Sequence, residues 1–202
     1  MSQITLDQEE QARARAREYF ATSGTHAPPA QIHERVAAAF TALDAALTGV
    51  SAAEAARRPL AGEWSVQEVV DHLLETHRPG VDELRCLLAG QRPPGEPIPA
   101  ALQSKAPHLR PWPWLLAEMR QVHATILDLL ATATADTRLD VRAPIVMVVN
   151  VAGPDGEVAP LHWVEDLDWK AYAIVWRLHA IDHLKQIKKV LAAGTRAGTS
   201  AG

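Results

Sequence analysis

The chain of 202 residues has one cysteine, Cys86, so it forms no intramolecular disulfide and cannot build a cysteine-based zinc knuckle. It lacks an excess of charge of either sign: 20 Lys and Arg stand against 24 Asp and Glu, a net −4, so no basic face exists to neutralise a row of phosphates. Nucleic acid is therefore not an expected partner. No run approaches the roughly 18 consecutive apolar residues of a membrane span, because Arg, Glu, Asp or His interrupts every helix-like segment. The N-terminus, acidic within its first residues, lacks the basic and apolar regions of an export signal, and the expected location is the cytoplasm. Common catalytic signatures are missing too. There is no H-E-x-x-H, no pair of Glu-x-x-His motifs for a di-iron bundle, no G-x-S-x-G elbow, no Walker A and no G-x-G-x-x-G.

What is present is the composition of one globular domain, 48% hydrophobic and 22% charged. At this length about 70% of the unfolded chain's surface can be buried, enough for a core without staples. Thr5 and Gln8 form a capping-box pair ahead of a polar segment to about Phe20, which reads as a peripheral helix. After Pro28 and Pro29, the residues Ile32, Val36, Phe40, Leu43 and Leu47 recur at helical spacing and give the first bundle helix. Ser51 with Glu54 starts a short helical turn. Ser65 with Glu68 is the clearest helix start in the chain, and the helix it opens should kink at Pro79-Gly80 rather than end there. The proline-rich stretch 90 to 110 is long enough to cross one end of a bundle and leave the second and third helices parallel. Trp112, Leu115, Met119, Val122, Ile126, Leu129 and Leu130 mark the third helix.

The β-branched run 144 to 151, the turn signal Gly153-Pro154-Asp155-Gly156 and the return 157 to 163 predict a β-hairpin. The pattern 165 to 193 predicts the last helix, capped by Gly194, with Thr195 onward as a frayed tail. The expected organisation is a peripheral helix and linker over 1–28, a four-helix-bundle domain over 29–194 and a flexible tail over 195–202. The fold class is all-α, a four-helix bundle with an extra N-terminal helix and a small hairpin before the last helix.

His179 and His183 stand four apart on the apolar face of that last helix, so both imidazoles project toward the bundle core. Nine histidines scattered through the chain give roughly a third of such a pair by chance, so the spacing alone decides little. Two buried imidazoles nevertheless need something to accept their lone pairs, and a divalent metal does so. His72, about two turns into the second helix, is the candidate third ligand.

The stretch Trp64-Ser65-Val66-Gln67-Glu68-Val69-Val70-Asp71-His72-Leu73, followed by Trp169-Lys170-Ala171-Tyr172 and by His179-Ala180-Ile181-Asp182-His183-Leu184-Lys185-Gln186-Ile187, resembles the DinB/YfiT-like superfamily of metal-dependent enzymes. The resemblance covers residues 31 to 193. It implies a four-helix bundle with parallel second and third helices and one divalent metal held by His72, His179 and His183. It further suggests a thiol-dependent S-transferase, or a related transferase or hydrolase, in which the metal activates a low-molecular-weight thiol for attack on a small-molecule electrophile. The alternative is a non-catalytic, dimeric binding or stress-response protein.

Nitrogen ligands suit zinc or nickel, then iron or cobalt, and disfavour magnesium and calcium. Glu68, one turn before His72, is a candidate acceptor for a ring N–H, whereas Asp71 and Asp182 point about 100° away and read as solvated or interface charges. His77, His108 and His162 could line the mouth of a site but read more simply as surface or loop residues. Trp112, Trp163, Trp169 and Trp176 read as core fillers or as an aromatic pocket wall walled with the hairpin, and Cys86 as a small buried hydrophobe. The apolar Ile174, Val175, Leu178 and Ile181, off the histidine stripe, suggest a helix-packed homodimer.

Overall fold

In the computed structural model, residues 4–153 and 157–199 are described. The turn residues Pro154 to Gly156 that the hairpin expectation used lie outside them. The N-terminal helix α1 (Leu6–Tyr19) starts on the expected Thr5/Gln8 capping box and runs into a wider π-helical turn, Phe20–Gly24. Helix α2 (Pro29–Leu47) opens with proline in its first turn, where the missing N–H costs nothing. Its stripe Ile32, Val36, Phe40, Leu43 and Leu47 is fully in the core. A single-turn helix α3 (Ala52–Ala56), capped by Ser51 and Glu54, links it to α4 (Val66–Leu88).

Helix α4 runs uninterrupted through Pro79, whose ring lies on the exposed side, so the helix neither ends nor restarts there. The stretch 90 to 110 has no regular structure beyond a single 3₁₀ turn, Pro107–Leu109. Helix α5 (Trp112–Ala131) follows, then strands β1 (Ala143–Ala152) and β2 (Val158–Leu167), paired antiparallel with Met147 opposite Trp163. Helix α6 (Trp169–Thr199) closes the fold. Helices α2 and α4 each pack between α5 and α6, while α1 lies on β1 and the π-helical turn lies on α6.

Both ends of α6 differ from the sequence expectation. Residues 165 to 167 belong to β2, because Glu165 is held on the strand by Arg17 and by the Trp163 indole N–H. The helix begins instead where Asp168 Oδ1 accepts the N–H groups of Lys170 and Ala171. Gly194 does not cap it. Its φ is not positive, the Arg57 side chain lies against it, and the helix continues to Thr199 through residues expected to fray.

Of the face expected at a dimer, one residue is covered within the chain and three stay half-buried. Ile174 is buried against the Phe20–Gly24 turn, and Val175, Leu178 and Ile181 pack on the core. Trp112, Trp163 and Trp169 are core residues as expected, and Cys86 is half-buried rather than buried.

Gly80 is a point of close approach between α4 and α6. A β-carbon built there would lie 2.4 Å from Trp176 Cζ2, on a rigid buried ring. Alanine gains about 1 kcal/mol of helix propensity, but overpacking costs roughly 1–3 kcal/mol. We expect Gly80→Ala to be net destabilising by about 1 kcal/mol in urea denaturation; an unchanged midpoint would show that the joint is loose.

Candidate metal centre

The site is set by the start of α4. Ser65 accepts the Glu68 backbone N–H at 3.2 Å, while Glu68 accepts the Ser65 N–H at 2.8 Å. Burial opposes ionisation of Glu68, yet the Arg58 guanidinium together with Ser65 holds its carboxyl down at about 2. Glu68 is therefore committed to the cap and to Arg58. It is not the acceptor behind His72 that its position in sequence suggested.

With the helix start fixed, His72 faces α6, and its Nε2 lies 2.9 Å from His179 Nε2. His183 Nε2 lies 3.0 Å from the same atom. One ring nitrogen from each of His72, His179 and His183 thus falls within a cluster no wider than 4.8 Å, with His72 buried and the other two partly exposed. The sequence-predicted trio is brought together. Trp64 covers two of the three rings, stacked on His183 at 6.3 Å and tilted over His72 at 5.1 Å.

Each ring is oriented by the nitrogen it turns away from the cluster. His72 Nδ1 donates to the Leu102 carbonyl at 2.8 Å, and His183 Nδ1 donates to Gln186 Oε1 at 2.9 Å. His179 Nδ1 meets His77 Nε2 at 3.2 Å. Leu102 is held in place by the helix beside it. Asp71 accepts the Ser104 N–H at 2.8 Å, the Ser104 hydroxyl at 2.7 Å and Arg110 at 3.1 Å, and Gln103 donates to the Glu68 carbonyl. Asp71 is consequently fully buried and anchors the connection that presents Leu102, the interface rather than the solvated alternative of its sequence reading. Asp182 is a solvated charge as expected, paired with Lys185.

Burial keeps these imidazoles neutral. It lowers His72 to about 4, with the neighbouring His183 adding to the effect and the Leu102 carbonyl opposing it. Burial also lowers His183, against the hydrogen bond to Gln186, and lowers His77 and His179 well below the ordinary histidine value. Neutral imidazole is the form that ligates a metal.

The donor set fits a divalent transition metal. Since the nitrogens facing Leu102 and Gln186 must carry protons, the inward nitrogens of His72 and His183 are bare lone pairs. Their separations from His179 approach the roughly 3 Å that nitrogens at about 2.0–2.1 Å from a common ion would show.

The cluster opens on a cavity of about 1220 Å³. Its walls include Tyr172 and Trp176 of α6 and residues Ile145 to Ala152 of the hairpin, which agrees with the expected pocket, and α1 contributes Ala12, Ala16 and Tyr19. The N-terminal helix thus forms part of the cavity wall. Sequence reasoning underrated two residues here. His77 does line the cavity, the less favoured of its two sequence readings, and His123 carries no sequence signal beyond its place on a helix; both are buried, bonded at 3.1 Å, and His123 stacks on Phe40 at 3.7 Å. The available signal was position: His77 lies five residues after His72 on the same helix, and His123 is on the apolar stripe of α5. His108 touches the Glu68 carboxylate, and His162 is exposed on the hairpin, so neither joins the cluster.

The family model of the DinB superfamily matches residues 35–187. No curated protein matches the chain. Among solved structures, YfiT from Bacillus subtilis is similar, with a TM-score of 0.58 and 18% identity over 84% of this chain and 87% of that one. YfiT is described as a probable metal-dependent hydrolase with an unusual four-helix bundle topology.

The low histidine values have a consequence for stability. An unfolded histidine takes up its proton near 6.5, whereas folded His72 and His123 resist it down to about 4. Their contribution is fully present above 6.5 and is lost progressively as the pH falls toward 4. The denaturation midpoint of metal-free protein should be level above 6.5 and fall steadily below it, with a shallower fall in His123→Phe. A flat profile across that interval would contradict the burial of neutral rings.

Proposed function

The chain belongs to the DinB superfamily, and from that membership and its three converging imidazoles we propose that it is a metal-dependent enzyme binding one divalent transition metal through His72, His179 and His183. The observation that carries the reading is the outward hydrogen bonding of His72 and His183, which leaves their inward nitrogens as lone pairs aimed at a shared point. Zinc or nickel suits an all-nitrogen set, with iron or cobalt next. Three neutral ligands leave the ion its full charge and at least one open position, at which it lowers the pKa of water or of a thiol.

The chain's own residues do the rest. Trp64 shields the ligand rings, Leu102 and Gln186 fix two of them, and the cavity holds a small molecule against the cluster between α6, the hairpin and α1. Thiol-dependent S-transfer is the finer reading, with a low-molecular-weight thiol as co-substrate in the cytoplasm. It is favoured over hydrolysis because the two carboxylates of the cavity, Glu63 and Asp182, are tied to Lys189 and Lys185, and water attack calls for a free general base. We also read α4 and α5 as parallel. In support, Gln67 near the start of α4 reaches the Arg110 carbonyl just ahead of α5, while His77 and Arg78 farther along α4 meet His123 and Glu118 within α5.

Cobalt-substituted protein tests the reading. Adding a low-molecular-weight thiol such as glutathione should shift the visible cobalt bands and add a sulfur-to-metal charge-transfer band. A spectrum indifferent to thiol but altered by hydroxide or azide would favour hydrolysis. Indifference to all of them would mean a closed site, and the non-catalytic binding protein would become the better reading.

A further inference from the structure

The three-histidine cluster continues into a chain of imidazoles that the proposed reaction does not use. His179 Nδ1 meets His77 Nε2 at 3.2 Å, and His77 Nδ1 meets His123 Nε2 at 3.1 Å. His77 and His123 are 1% and 6% exposed, packed against Phe40 and Trp176.

A neutral imidazole has one N–H and one lone pair, so each nitrogen-to-nitrogen bond here holds a single proton. In His179–His77–His123 this leaves two arrangements. Either every ring donates away from the cluster, with protons on His179 Nδ1, His77 Nδ1 and His123 Nδ1, or every ring donates toward it, with protons on the three Nε2 atoms. A mixed arrangement would set two lone pairs or two N–H groups against each other in a buried bond.

The cluster chooses between the two. His72 Nε2 and His183 Nε2 are both bare, because their Nδ1 protons go to Leu102 and Gln186. With no cation, a proton on His179 Nε2 satisfies one of these lone pairs, and the chain donates inward. A cation among the three nitrogens needs a lone pair from His179 as well, which requires the outward arrangement. Resting on the metal-site reading above, we propose that His77 and His123 are positioning residues and that metal binding reverses the direction of hydrogen bonding along His179–His77–His123. Each ring keeps one proton through the switch: the proton on His179 Nε2 is released to solvent, those on His77 Nε2 and His123 Nε2 pass to His179 Nδ1 and His77 Nδ1, and one is taken up at His123 Nδ1. In the loaded state His77 accepts from the ligand's ring N–H, which orients His179 and strengthens it as a donor.

Nitrogen-15 NMR of the full-length protein reads the tautomer of each ring directly. In metal-free protein His77 and His123 should carry their protons on Nε2, and with one equivalent of zinc both should carry them on Nδ1. If the signals of His72 and His183 respond to zinc while His77 keeps one tautomer throughout, the switch is wrong and the metal site stands. If no zinc binds, the metal reading falls and the switch falls with it. As a second arm, His77→Phe should weaken zinc binding by about 10–100-fold in chelator competition. His77→Gln, whose side-chain oxygen can accept from His179, should restore most of that loss, and equal losses in both variants would overturn the positioning role.

Discussion

Two bare imidazole nitrogens, those of His72 and His183, face a third on His179 whose single N–H can satisfy only one of them, and everything around the cluster enforces that arrangement. Two outward hydrogen bonds, to the Leu102 carbonyl and to Gln186, dictate which nitrogen of His72 and His183 faces inward. Burial keeps the rings neutral at ordinary pH, so protonation does not relieve the conflict. A divalent cation relieves it, and the fold can be understood as the scaffold that holds these groups ready for one. Building the site from helical residues of α4 and α6 makes it stiff, because each ring's position follows from helix packing rather than from a loop.

Two features of the scaffold serve this constraint at a distance. The capping box at Ser65 and Glu68, reinforced by Arg58, fixes the start of α4 and hence the rotation that aims His72 at α6. The long connection between α4 and α5 looks unstructured in sequence, yet Asp71 ties Ser104 and Arg110 down so that Leu102 presents its carbonyl to His72. A carboxylate next to a ligand in sequence thus acts on it indirectly, through the segment it anchors. On the other side of the cluster, the close approach of Trp176 to Gly80 lets α6 sit near enough to α4 for His179 to reach both His72 and His77.

Much of this was legible in the sequence because it is local. The capping signals at Thr5, Ser51 and Ser65, the apolar stripe from Ile32 to Leu47 and the i, i+4 pair His179 and His183 all depend on neighbours within a turn or two, and all appear where expected. What was misjudged depends on contacts across the fold. Gly194 resembles a helix stop, but it lies within α6 beside Arg57. Glu68 looks like a partner for His72, but Arg58 and Ser65 occupy it. Asp71 looks solvated until the connection is folded over it, and His77 looks like a surface residue until α5 brings His123 alongside. Nor does the sequence show that the N-terminal segment returns to lie against Ile174.

The most direct test is the metal content of untagged protein, purified without added metal and measured by mass spectrometry beside His72→Ala and His183→Ala. The account predicts close to one divalent transition metal per chain in the wild type and little in either variant, with helical content retained in all three. A wild type that carries no metal and takes up neither zinc nor nickel on incubation would contradict it, and the five linked imidazoles would then be a polar network without an ion.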